Sequence, residues 1–158
     1  MLRFSLETAP IKPNMATHIF NRLGQAKRSQ NKLLLLPINR ASADDISLRY
    51  HVSLEALRVG RGYAGAAQAL AEATVVTFFL VNAGYGEMPR ETFSMSEDIL
   101  ARCFEIGRTS DEWHFDDRSY QHFSALLSLH DSQLRKAPLS TLLRANDQLN
   151  AFLKGKAL

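Results

Sequence analysis

Between Glu72 and Glu87 the chain runs fourteen residues without a charge, and within that run lies its most apolar stretch, residues 74–86, "TVVTFFLVNAGYG". Length decides what this stretch can become. A helix that spans a membrane needs roughly 20 consecutive apolar residues, whereas runs of ~10–14 more often form buried core helices. Asn82, Gly84 and Gly86 already loosen the far end. A secretion signal does not fit either, because the stretch sits in mid-chain and the opening "MLRFSLETAPIKPN" has no continuous apolar region. The expectation is a central, buried helix over about residues 63–83 in a soluble protein with no membrane association.

The flanking segments supply what such a helix would pack against. "SADDISLRYHVSLEALRVG", residues 42–60, opens with a Ser cap and with Asp44 and Asp45 where a helix favours acids. Ile46, Tyr50, Leu54 and Leu57 recur at helical spacing, and Gly60 suits the closing position. The turn to the apolar helix is short, so the two form an antiparallel hairpin. Reflection about residue 61 then sets Glu72, the one charge between Arg61 and Glu87, opposite residues 49–51, with Arg49 as its expected partner and Tyr50 or His51 as alternatives. A third helix is expected to start at the capping box Ser94–Glu97, with Ile99, Cys103 and Ile106 on one face. A fourth starts near Asp116 or Asp117 and ends at Pro138, and a fifth runs from Ser140 to Gly155. No stretch alternates with period two, and no internal repeat is visible. The fold class is therefore all-α: a single-domain bundle of about five helices, residues 42–158, preceded by an arm, residues 1–41.

The arm carries the main charge asymmetry. It holds Arg3, Lys12, Arg22, Lys27, Arg28, Lys32 and Arg40 against Glu7 alone, a net +6, while the twelve basic and fifteen acidic residues that follow give −3. Pro10 and Pro13 discourage regular structure at its start, and the arm is expected to be partly extended or disordered. Its "KLLLLPIN" run reads as an added strand or an extended segment that covers the core. A basic arm can engage an acidic protein surface or nucleic acid. The candidate partner-binding residues are Arg22, Lys27, Arg28, Lys32 and Arg40, joined by Trp113 and Arg144 on the body.

The search for catalytic chemistry is mostly negative. There is no Gly-rich phosphate loop, HExxH, GxSxG or CxxC, and none of the five histidines has a Glu three positions earlier, as a carboxylate-bridged metal bundle requires. The single Cys103 reads as a small buried hydrophobe, and one cysteine fits a reducing cytoplasm. In the polar cluster "DEWHFDDRSYQH", residues 111–122, His114, Asp116, Asp117 and His122 match no metal-ligand spacing, and Trp113 reads as a packing anchor or an interface residue. His51 and Glu55 read as a helix-surface pair, and His130 as a core histidine. The last two helices, joined by "KAPL", leave a helix-turn-helix open. Ser140, Thr141, Arg144, Asn146, Gln148 and Asn150 would then offer side chains able to read base edges.

"SLRYHVSLEALRVGRG", continued by "LAEA" and "FFLVNAGYG", resembles a group of short bacterial proteins of mobile elements and accessory regions, some of them labelled Fis-type regulators. The resemblance covers roughly residues 46–134, carries no catalytic signature, and implies a bacterial regulatory or accessory protein. The functional expectation is a cytoplasmic, non-enzymatic interaction protein that binds a macromolecule, most simply another protein. A DNA-binding regulator using the arm and the last helix pair is the alternative, and a small helical enzyme comes third. No cofactor or metal is expected, and a homodimer is admissible.

Overall fold

The computed structural model describes residues 31–155, and over these the chain is an all-helical bundle. Six helices follow one another: α1 (Asn31–Leu34), α2 (Arg40–Arg58), α3 (Ala64–Asn82), α4 (Arg90–Ser110), α5 (Asp117–Lys136) and α6 (Leu139–Leu153). The only β pairing among the described residues is an isolated bridge between Pro37 and Pro138. Five of the helices are long, and the sixth, α1, is a single turn within the leucine run where a strand or extended segment was expected. Residues 1–30, which include most of the basic arm, lie outside the described residues.

The hub is α3. Thirteen of its nineteen residues are buried, and it packs against α2, α4, α5 and α6. It is long and apolar enough to cross a membrane, but 72% of the qualifying window is buried inside the bundle. A helix surrounded by other helices must be apolar nearly all round, and this one is. Ala66, Ala67, Ala69, Ala71 and Ala73 keep its first half slim, which lets neighbouring helices approach closely.

Local chemistry sets the helix ends. α2 begins two residues before the expected Ser42 cap, because the Asn39 side chain caps it by accepting from the Ser42 backbone N–H at 2.9 Å. It closes on Gly60 at φ 70°, a left-handed conformation that costs glycine nothing. α4 starts at Arg90 immediately after Pro89, one turn ahead of the expected Ser94–Glu97 box, and the Ser96 hydroxyl turns inward to Thr92 O at 2.9 Å. α5 is capped as expected, the Asp116 carboxylate accepting from Ser119 N at 2.8 Å.

The far end of α4 departs from the expected face. Ile99 and Cys103 are buried, but Ile106 is 43% exposed and Gly107 takes its place. A β-carbon at Gly107 would stand 2.4 Å from the Trp113 ring. The glycine makes a seat, and Trp113 folds back into it after the chain turns at Asp111, whose carboxylate accepts from the indole N–H at 3.1 Å. The same loop is tied to the end of α2 by Phe115 N donating to Leu57 O at 3.0 Å.

Candidate functional site

Most of the buried polar chemistry lies in one seam where α2 and α5 flank α3. Glu72, 3% exposed, faces Arg49 across the α2–α3 hairpin with an N–O distance of 3.4 Å, and Gln68 donates to the other carboxylate oxygen from one turn earlier. This is the partner that the hairpin geometry required. Burial nevertheless outweighs the guanidinium, and the Glu72 carboxyl is pushed up to about 7. Arg49 also lies over the Tyr50 ring, 5.6 Å from its centroid, and the desolvated Tyr50 phenol is shifted upward.

Deeper in the seam, the His130 ring meets Tyr50 edge-on at 5.3 Å and shares a hydrogen bond of 3.1 Å with the Thr77 hydroxyl. Its burial pulls it down to about 4, so it is a neutral core imidazole at neutral pH. Gln133 donates to Thr77 O at 3.2 Å and Tyr85 O at 2.8 Å, which fixes the end of α3 and the following turn to α5. These bonds make the seam a register device, since sliding α5 by one residue would strand several buried polar groups.

At the rim of the seam, Asp131 accepts from Ser47 at 2.7 Å and pairs with His51 at 2.9 Å. His51 therefore reaches across to α5 and does not pair with Glu55, which instead bonds Arg58. Asp131 stands between the serine and the histidine. In a nucleophile–base–orienter relay the histidine must hold the hydroxyl, and that order is not present here.

The remaining sequence candidates are scattered. Arg22, Lys27 and Arg28 lie outside the described residues. Lys32 is exposed on α1, Arg40 is exposed at the start of α2 with Asp44 3.6 Å away, and Arg144 is exposed on α6. Trp113 is only 8% exposed, edge-on to Phe104 at 5.9 Å, so its ring packs the core and is not presented to a partner. His114 is exposed, Asp116 is a cap, Asp117 is in the first turn of α5, and His122 bonds Ser96 at 2.7 Å. Among the described residues, no three His, Cys, Asp or Glu side chains converge as metal ligands. On α6, Asn146 is buried rather than exposed, and of the six side chains considered for base reading only Arg144 stands fully in solvent.

Cys103 is buried, and desolvation pushes its thiol up to about 11. Alkylation by iodoacetamide at pH 8 is expected to run at least ~100-fold slower in the native chain than in denaturant, because the thiolate is the reactive form. Mass spectrometry of the quenched reaction reads this directly, and equal rates would place the thiol at the surface.

Two surface features were not visible in the pattern. Between α4 and the start of α5 runs an open groove of about 820 Å³, lined by Arg90, Arg102 and Arg118 but also by Glu91, Asp98, Glu105 and Asp116. Its charges alternate and select no ion of one sign. The second is a leucine corner. Leu34 packs on the core and Ile38 is buried, while Leu33, Leu35 and Leu36 are 52%, 71% and 53% exposed. One helical turn cannot bury four successive leucines on one side. The corner is held in place by Leu139 N donating to Leu36 O at 2.8 Å beside the Pro37–Pro138 bridge. Exposed Lys32 and Arg40 flank it along the chain, and exposed Arg135 and Lys136 precede Pro138 at the bridge. Comparison of the chain with family models, with characterised proteins and with solved structures finds no match.

Proposed function

We propose that this chain is a non-enzymatic interaction protein, of the bacterial regulatory or accessory kind, that binds a protein partner through the leucine corner. The observation that carries this reading is the exposure of Leu33, Leu35 and Leu36 together, on backbone pinned to the start of α6. Exposed apolar side chains that cluster, rimmed by polar ones, mark interaction surfaces. The cationic rim of Lys32, Arg135 and Lys136 favours a partner whose apolar anchor is bordered by acids.

The test is a photo-crosslinking residue at position 32 of the full chain, beside the corner and outside the substituted leucines, with capture from the native host. One acidic-rimmed protein should be captured, and the L33S/L35S/L36S variant should lose it with an unchanged melting temperature, since these side chains are exposed. Capture that survives the triple substitution would overturn the reading.

The charge asymmetry favours a second reading, in which duplex DNA is bound through the basic front of the chain. Deleting residues 1–30 should then weaken retention on DNA, and the loss should shrink as salt rises. Retention that is insensitive to salt would remove this alternative.

A further inference from the structure

We propose that the last turn of α6 is a proton-controlled flap over Glu72, closed while the acid is protonated and lifted when it ionises. Glu72 lies in a crevice of about 10 Å³ between α3 and α6, roofed by Leu149, Phe152 and Leu153. Such a volume is at the lower limit of what admits one water molecule. A neutral acid tolerates an apolar roof. An ionised carboxylate does not, because burying a charge costs far more than burying the protonated group.

The donors that face Glu72 from α2 and α3 are distant. Arg49 Nη2 and Gln68 Nε2 each stand 3.4 Å from the carboxylate, longer than the ~2.7–2.9 Å of a strong charge-assisted bond. The other terminal nitrogen of Arg49, Nη1, is buried and has no hydrogen-bond partner among the described residues. Water entering the crevice would hydrate the carboxylate and reach this nitrogen together.

Of the walls around Glu72, the end of α6 yields most easily. Leu139, Leu142, Ala145, Asn146 and Leu149 anchor the helix in the core, and Leu139 N is tied to Leu36 O. Phe152 and Leu153 are only partly buried, Lys154 is exposed, and the chain turns out at Gly155 with φ 66°. Local opening of such an end costs far less than unfolding the bundle. The hairpin of α2 and α3 has no comparable loose edge at Glu72, since its facing residues Tyr50, Ser53 and Leu54 are all buried.

The opening belongs to neutral pH, because burial pushes the Glu72 carboxyl up to about 7. From α2 it is faced by Arg49 and the Tyr50 phenol. From α5, His130 lies behind Tyr50 with ring centroids 5.3 Å apart, and Asp131 pairs with His51 at the rim. His130 is pulled down to about 4 by burial, so its charge does not change near pH 7. α4 meets α3 through Phe93 on Phe78, and the three residues that α6 places over the crevice do not titrate.

The experiment is hydrogen exchange of the full chain, comparing the amides of residues 150–154 in the parent and in E72Q at the same pH. Intrinsic exchange rates then cancel. At pH 8 the last turn should exchange more than ~10-fold slower in E72Q, whose amide keeps the flap closed, and at pH 4.5 the two chains should agree within about threefold. The amides of α3 should exchange more slowly than the last turn in both chains, which shows that local opening sets the rate. Without the Phe152 roof the dependence should vanish, so F152A and F152A/E72Q should differ by less than about twofold at pH 8. Equal exchange of the last turn in the parent and E72Q at pH 8 would overturn the proposal. So would a last turn as slow as the hub, or a ~10-fold difference that persists in F152A.

Discussion

Truncating Phe79 to alanine is expected to cost about 3–5 kcal/mol, and the same change at its neighbour Phe78 about 1–2 kcal/mol. Adjacent residues on a helix point about 100° apart, so the two rings leave the hub on different sides. Phe79 is 6% exposed within the main core. Phe78 is only partly buried, and packs on Phe93 with ring centroids 4.7 Å apart. Removing the Phe79 ring opens a cavity among helices that are held in register by the seam, so the site cannot easily collapse. At position 78 the rim can relax and water can enter. Denaturant unfolding at 25 °C measures both losses on a protein whose total stability is of order 5–15 kcal/mol. Equal losses would mean that Phe78 is as deeply placed as Phe79.

The contrast between these two rings shows what kind of information the sequence carried. Apolar density around residues 74–81 identified the hub, since a helix that is greasy all round has few places to go except the middle. The hairpin followed from the short turn, and with it the Arg49–Glu72 contact, because an antiparallel pair is fixed once its turn is located. Features that depend on a third element were illegible. Glu55 is the helical neighbour of His51, but Asp131 arrives from α5 and takes it. Ile106 keeps the spacing of Ile99 and Cys103, but Trp113 returns from a loop to occupy the seat at Gly107. Asn146 carries a polar side chain into the core because α6 lies flat against α3. The start of α4 was misplaced for a local reason. Ser94 and Glu97 satisfy a capping pattern, while Pro89 already provides a residue whose fixed φ suits a helix entrance. The surface was least legible, because exposure is what remains after packing. Nothing in "KLLLLPI" says that Leu34 turns inward and Leu35 outward.

The seam predicts an unusual response to pH, in which two buried groups oppose one another. Glu72 titrates near 7 in the folded chain, well above an unfolded glutamate. Between about pH 4.5 and 7 the folded state therefore holds the extra proton, and stability falls as pH rises through this window. His130 behaves in the opposite sense. Its folded value of about 4 lies below that of an unfolded histidine, so between about pH 4 and 6.5 the unfolded state holds the extra proton and stability falls as pH drops. Each shift spans about 2.5 units, which corresponds to roughly 3 kcal/mol at about 1.36 kcal/mol per unit. From about pH 4.5 to 6.5 the two slopes nearly cancel, and the parent gains or loses little from this pair. Single substitutions should expose each slope. Gln at position 72 mimics the protonated acid, so E72Q should match the parent near pH 4.5 and exceed its stability by about 2–3 kcal/mol at pH 8. Gln at position 130 cannot charge, so the stability of H130Q relative to the parent should rise by a similar amount between pH 6.5 and 4. Taking variant minus parent at each pH removes the contribution of every other carboxylate and histidine. A pH-independent E72Q difference would mean that Arg49 keeps Glu72 ionised throughout, and that its attraction outweighs burial after all.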